Sequence, residues 1–190
     1  MSDILNLKEQ IEKYVPYNEQ EESDKKIMLK SLETFDDMLT RKNEICHFTA
    51  SNWILNKDRT KVLMIYHNIF KSWAWVGGHA DGDSDLLHVA LKEAQEETGI
   101  KNFKVLSDGI FGISILTVDG HIKRGKFVSS HLHFDCCYLL EADENEEVKI
   151  KEDENCGVQW IDIDKAIEIS KEEKMKPIYR KLNEKLYKML

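Results

Sequence analysis

A mixed β-sheet sandwiched between helices (α/β/α), preceded by a helical segment, is the fold class that this 190-residue sequence predicts. Strand patterns come first, then a single helix dense in acids, then more strands and two closing helices, the layering of an α/β unit. No GxGxxG follows a strand and no glycine loop ends in Gly-Lys-Ser or Gly-Lys-Thr, so a doubly wound nucleotide fold is not expected. The length suits one well-filled domain and falls short of two.

The elements follow from periodicity. Residues 3–42 read as helical: Ile4, Leu7, Ile11 and Val15 recur at helical spacing, and Pro16 interrupts. A second run places Met28, Leu29, Leu32, Phe35, Met38 and Leu39 on one face, with Ser23-Asp24 as its expected cap. Residues 1–44 are therefore expected to be an N-terminal extension, packed on the main domain of residues 45–190 or forming a contact in a homodimer. From Cys46 the period changes to two. Residues 47–55 and 61–67 read as strands around a turn at 56–59, and 73–76 as a short apolar piece ending at Gly77-Gly78. A helix is expected over 85–98, stopped by Gly99, which tolerates the left-handed conformation after a helix end. Strands are expected at 103–106, 110–118, 130–140 and 157–161, with a loop at 119–125, and helices over 162–170 and 172–190.

Composition removes several function classes. Hydrophobic residues are 42% and charged residues 33% of the chain, an ordinary soluble balance. No apolar run approaches the roughly 18 residues of a membrane span, and the first residues lack the basic-then-apolar pattern of a secretory signal, so a cytoplasmic location is expected. Cys46, Cys136, Cys137 and Cys156 show no CxxC spacing and read as reduced thiols. The net charge of −8 argues against long nucleic acid as a partner. It still permits a small anionic substrate if a divalent cation stands between that substrate and the acidic protein.

The chemistry concentrates in residues 77–100. Glu93 lies three residues before Glu96 and four before Glu97, so the three carboxylates share one helix face, while Leu87, Ala90, Leu91 and Ala94 supply an apolar one. At about 6 Å and an effective dielectric near 20, each carboxylate pair costs on the order of 3 kcal/mol. A divalent cation reverses that sign, and hard oxygen donors are what Mg²⁺ or Mn²⁺ prefers. Gly77-Gly78 lets backbone come close to an ion or phosphate where a Cβ would intrude.

These residues resemble the Nudix box, Gly-x5-Glu-x7-Arg-Glu-U-x-Glu-Glu-x-Gly-U, with U a bulky aliphatic. Gly78 stands at the first glycine, and Glu93, Glu96-Glu97, Gly99 and Ile100 fall in register without a gap over 23 residues. The opening Gly-Gly-His-Ala-Asp-Gly resembles that of a subset of bacterial members. Three positions depart: Ser84 replaces the first glutamate, Lys92 the arginine, and Ala94 is smaller than usual. Ser84 or Asp83 is expected to cap the helix instead, and Lys92 lacks arginine's bidentate fork. The resemblance implies hydrolysis of a pyrophosphate bond in a nucleoside diphosphate linked to another moiety, with Mg²⁺ or Mn²⁺ as cofactor. It implies Glu93 and Glu97 as principal ligands, Glu96 as a further ligand or base, and the Gly77 carbonyl completing the site. Where the base comes from a later loop, Glu152, Asp153 and Glu154 are the candidates.

Other residues fall outside the box. Lys123, Arg124 and Lys126 form the densest basic group and are candidates for substrate phosphate, against a solvated hairpin tip. Phe48, Trp53, Phe70, Trp73 and Trp75 could stack on a base or pack the core. His131 and His133 share a strand face, His79 sits in the box loop and His47 opens the first strand; all four lie on segments able to converge. That pattern keeps an isopentenyl diphosphate isomerase-like alternative in view, although Gly77 stands where that enzyme needs cysteine. A non-catalytic Nudix domain that senses a nucleotide or sugar nucleotide is the other alternative.

Overall fold

The computed structural model describes residues 2–123 and 125–189; for residues 2–4 and 123 it describes the backbone. Eleven-residue β1 (Cys46–Asn56) is buried along its whole length and is the axis of the sheet. It pairs antiparallel with β2 (Lys61–His67) and, in parallel, with a long later strand (His131–Ala142) in register from Cys46↔Leu132 to Asn56↔Ala142. The expected apolar piece at 73–76 is two strands. β3 (Ser72–Ala74) pairs with β2, and β4 (Val76–His79) crosses to pair with β1. After helix α3 (Leu86–Thr98) come β5 (Lys104–Val105), β6 (Gly112–Val118), β7 (His121–Lys123), β8 (Lys126–Val128), the long strand as β9, and β10 (Asn155–Asp162). The main sheet runs β10-β2-β1-β9-β5, with β3, β4 and β6 branching from β2, β1 and β9. Among the described residues only the β1–β9 ladder is parallel; the other pairings are antiparallel.

Alternation along β1 assigns its two faces. Phe48 and Ala50 cluster with Val89 and Ala90, and Ile54 clusters with Ala94, all on helix α3 (Leu86–Thr98). Trp53 and Leu55 point the other way, onto Tyr179, Leu182 and Leu186 of the closing helix α5 (Lys176–Met189). The Trp53 indole N–H donates to Asn183 at 3.1 Å, and its ring stacks on Tyr179. Short α4 (Lys165–Ile169) precedes α5 and replaces the longer helix expected at 162–170.

The N-terminal segment is two helices, α1 (Ser2–Lys13) and α2 (Glu19–Thr34), and its details differ from expectation. Asn18 caps α2 by accepting from the Glu21 amide, so Ser23 and Asp24 lie within the helix. Asp24 is used sideways, accepting from the Ile115 amide of β6 at 2.8 Å. The helix stops at Thr34, and Phe35, Met38 and Leu39 leave it. The Met38 carbonyl accepts from Phe48 and that of Leu39 from Gly82, so this segment is spent on tying β1 and the box loop together. Leu7, Ile11, Met28 and Met38 share one apolar cluster with Phe48, Ala50 and Phe134. The expected loop at 119–125 contains strand β7, which pairs with β8 just beyond it as a two-stranded sheet of its own.

Candidate active site

Strand β4 enters the site through its glycines. A Cβ on Gly77 would lie 2.5 Å from the Ala50 carbonyl oxygen and 2.7 Å from Ser51 Cα, so β1 and β4 approach each other only because it is absent. A Cβ on Gly78 would occupy the place of the Glu93 carboxyl group. The diglycine thus serves two contacts: one lets the strands pair, the other seats the first helix carboxylate against the strand.

Helix α3 is held in that position at both ends and along its length. Asp85 is the N-cap, accepting from the His88 amide at 3.1 Å; Asp83 instead accepts from the Asp85 amide and pairs with the His88 ring at 2.7 Å. The cap expected of Ser84 or Asp83 therefore moves one residue, because the chain turns tightly enough for Asp83 to brace the cap. Gly99 closes the helix with φ +75°, its amide bonded to the Gln95 carbonyl. Buried Asn52 of β1 donates to the Ala90 carbonyl at 2.8 Å, and buried Asn155 donates to the Glu97 carbonyl at 3.0 Å. Neither asparagine was singled out from sequence; Asn52, polar beside the apolar Trp53-Ile54-Leu55 run, gave a signal, whereas Asn155 follows a run of acids and gave none.

The helix carboxylates separate in role. Glu97 is 2% exposed and accepts the Gly77 amide at 3.0 Å. Burial pushes its carboxyl far above the usual range, and the charges of Glu93 and Glu154 push it further. Burial likewise raises half-buried Glu93, against the pull of Lys151. Glu93, Glu97 and Glu154 each place an oxygen within 4.8 Å of the others. Glu96 is exposed and turned to Lys151 at 3.0 Å and Lys92 at 3.9 Å. Lys151 also meets Glu154 at 3.0 Å, so a single ammonium bridges the helix to the acid loop. Of the three loop acids, Glu154 joins the group, while Glu152 and Asp153 are exposed.

Such a group fits a hard divalent cation. Buried carboxylates that resist ionisation alone, packed against a diglycine and offset chiefly by Lys151, gain most from a doubly charged ion with oxygen preference.

Elsewhere the residues singled out disperse. Phe48 and Trp53 are core; Trp73 and Trp75 are half-buried; Phe70 stays 47% exposed. Phe70 and Ile69 form one wall of an open groove completed by residues 119–121 and 171–174, which bring Asp119, Glu172 and Glu173 as well as Lys171 and Lys174. The turn behind that wall is stitched to the acid loop: the Asn68 amide donates to the Glu154 carbonyl at 2.9 Å, and the Asn68 side chain to that of Glu152. Lys123 closes the β7–β8 hairpin opposite Lys126. Arg124 and the Lys123 side chain lie outside the described residues. His47, His79, His131 and His133 do converge, at the end of the sheet where β1 and β9 begin.

A mixed sheet that presents a carboxylate helix behind a diglycine strand makes a candidate divalent-cation site of the kind that phosphate chemistry uses. The NUDIX domain profile matches residues 47–186, and the chain belongs to that family. It is a pyrophosphohydrolase. The chain is 27% identical over 141 residues to an RNA pyrophosphohydrolase of Pelagibacter ubique, covering 72% of this chain and 89% of that one. Its fold is similar to an Ap4A hydrolase of C. elegans (TM-score 0.54, 20% identity, 74% and 97% of the two chains). It is also similar to the E. coli dihydroneopterin triphosphate pyrophosphohydrolase (TM-score 0.56, 14% identity, 70% and 92%). Among the described residues, no helix is long and apolar enough to cross a membrane.

Proposed function

We propose that this enzyme hydrolyses a small nucleoside diphosphate derivative or polyphosphate using Mg²⁺ or Mn²⁺ held by Glu93, Glu97 and Glu154. The observation that carries the reading is the convergence of those three carboxylates beside Gly77-Gly78, two of them with protonation favoured by burial. When bound, the cation neutralises phosphate charge and lowers the pKa of water. Glu97, oriented by the Gly77 amide, and Glu93, seated against Gly78, supply ligand oxygens. Glu96, outside that trio but exposed and hydrogen-bonded to Lys151, is the carboxylate suited to accept the proton of an attacking water. Lys151 holds Glu96 and Glu154 together, and its charge favours a phosphate at the mouth of the site.

The substrate's non-phosphate end is assigned to the groove beside Phe70, whose exposed ring offers a stacking face. Lys123 and Arg124 are proposed, from their charge in the sequence, to meet the outer phosphates. The net charge of −8 favours a small ligand over a long polyanion. All four cysteines are free thiols, which suits the cytoplasmic compartment proposed for the enzyme.

The test is a substrate panel with Mg²⁺ or Mn²⁺: nucleoside triphosphates, ADP-ribose, sugar nucleotides, dinucleoside polyphosphates and a triphosphorylated oligoribonucleotide. Cleavage of a small nucleotide that Glu97→Gln abolishes supports the reading. Preference for the oligoribonucleotide overturns the small-substrate assignment. Binding without turnover by the wild type replaces the enzyme with a nucleotide sensor.

A further inference from the structure

The four histidines at the opening of β1 and β9 are not used by the carboxylate site, yet their arrangement is specific. His47 and His133 are direct neighbours in the parallel β1–β9 ladder, and His79 comes in from β4 one residue past Gly78. The ring of His47 lies 5.2, 5.1 and 5.0 Å from those of His79, His131 and His133. His47, His79 and His133 each offer a ring nitrogen within 4.8 Å of the other two.

His47 is the buried member, 3% exposed. Its Nδ1 lies 3.0 Å from the Asn43 carbonyl oxygen. A carbonyl only accepts, so Nδ1 carries the proton and the neutral ring keeps its lone pair on Nε2. That Nε2 is buried and has no hydrogen-bond partner among the described residues. Asn43 is itself fixed, its side-chain oxygen accepting the Ile45 and Cys46 amides at 3.1 Å. A backbone carbonyl on one ring nitrogen and a bare lone pair on the other is how proteins present histidine to a metal. His131 is braced in the same manner, Nδ1 at 2.8 Å from the Ser129 carbonyl oxygen, and its Nε2 lies 3.2 Å from that of His133.

We propose that His47, His79 and His133 form a second metal centre, selective for a zinc-class transition ion, with His131 positioning His133. Three neutral imidazoles suit Zn²⁺ and its neighbours and are poor donors for Mg²⁺, so the two centres divide by donor chemistry. His79, His131 and His133 are only half-buried, which leaves the ion an open position for water or an anionic oxygen. Because His79 belongs to the same strand as Gly77 and Gly78, this centre would fix the strand that supports the carboxylate site. The proposal does not depend on the substrate reading.

The test uses chelator-stripped full-length protein with Mg²⁺ in excess, titrated with Zn²⁺ against a chromophoric competitor, and with Co²⁺ as an optical probe. One Zn²⁺ per chain and a low-coordinate Co²⁺ spectrum are expected in the wild type and in Glu97→Gln. His79→Gln and His133→Gln should each lower Zn²⁺ affinity by about 100-fold or more. If those variants lose their fold by circular dichroism, the imidazole ¹⁵N signals of the wild type decide: Zn²⁺ must shift His47 Nε2. Zn²⁺ uptake that Glu97→Gln removes, affinity unchanged in both folded histidine variants, or an unshifted His47 Nε2 overturns the proposal.

Discussion

Glu97 shows how one residue is bent to function at the expense of stability. It is a carboxylate in a nearly dry setting whose one hydrogen bond in the site, from the Gly77 amide, does not compensate burial and two like charges. Glu97→Gln keeps the shape and an acceptor for that amide but removes the cost of protonating a buried carboxyl on folding. It should stabilise the metal-free protein by about 1 kcal/mol, read from chemical denaturation at neutral pH. The same change should cut kcat at least about 100-fold, since a metal ligand contributes several kcal/mol to the barrier. A variant that lost activity and stability together would mean Glu97 is only structural. Gly78→Ala is the sharper geometric test. Its Cβ would displace the Glu93 carboxyl, so activity should fall while the overall circular dichroism spectrum stays native.

At the scale of elements, α2 is attached by charge as much as by apolar contact. Glu21 is fully buried, accepting from Tyr14 Oη at 2.5 Å and the Tyr17 amide at 2.8 Å, with Lys181 Nζ of α5 at 3.0 Å and Lys185 Nζ at 3.4 Å. Glu21→Ala strands two lysines in the interior and should cost about 3–5 kcal/mol. The pH dependence follows from the same contacts. Burial alone would raise the Glu21 carboxyl, but Lys181 and Lys185 prevail and hold it below its ordinary 4.5. Its contribution is therefore complete above pH 4.5 and disappears as pH falls through the lower folded-state value. Urea midpoints between pH 6 and 3 should decline more steeply for the wild type than for Glu21→Gln. At the start of the same helix, Asn18→Ala removes the acceptor for the Glu21 amide and should cost about 1 kcal/mol. Periodicity revealed both N-terminal helices but not where the second begins and ends. Met38 and Leu39 continue an apolar helical spacing, yet their carbonyls are claimed by Phe48 and Gly82 from distant parts of the chain. No local pattern reports such a claim.

For the whole molecule, three anchors meet on β1: α3 on one face, α5 on the other, and the N-terminal segment through the cluster around Phe48 and Phe134. A divalent cation at the carboxylates binds the folded chain alone, so it should raise stability by about 2.7 kcal/mol at a hundred times its dissociation constant. Thermal melts with Mg²⁺ against chelator should show that gain in the wild type and its loss in Glu97→Gln. An equal gain in both would place the cation elsewhere.

The local sequence was enough for the helix that carries Glu93, Glu96 and Glu97, its stop at Gly99, and the diglycine before it, because a helix face and a left-handed cap are short-range geometry. It was enough, too, for the family resemblance, since the box is one uninterrupted segment. Tertiary structure decided what those acids do to one another. It brought Glu154 rather than Glu152 or Asp153 into the group and turned Glu96 toward Lys151, both through a loop more than 50 residues away in the chain, and it buried Glu97 against the Gly77 amide. It also brought together four histidines from three strands, whose meeting depends on the parallel register of β1 with β9. Sheet register is a long-range property, and a residue's ionisation and ligand chemistry follow from its neighbours in space.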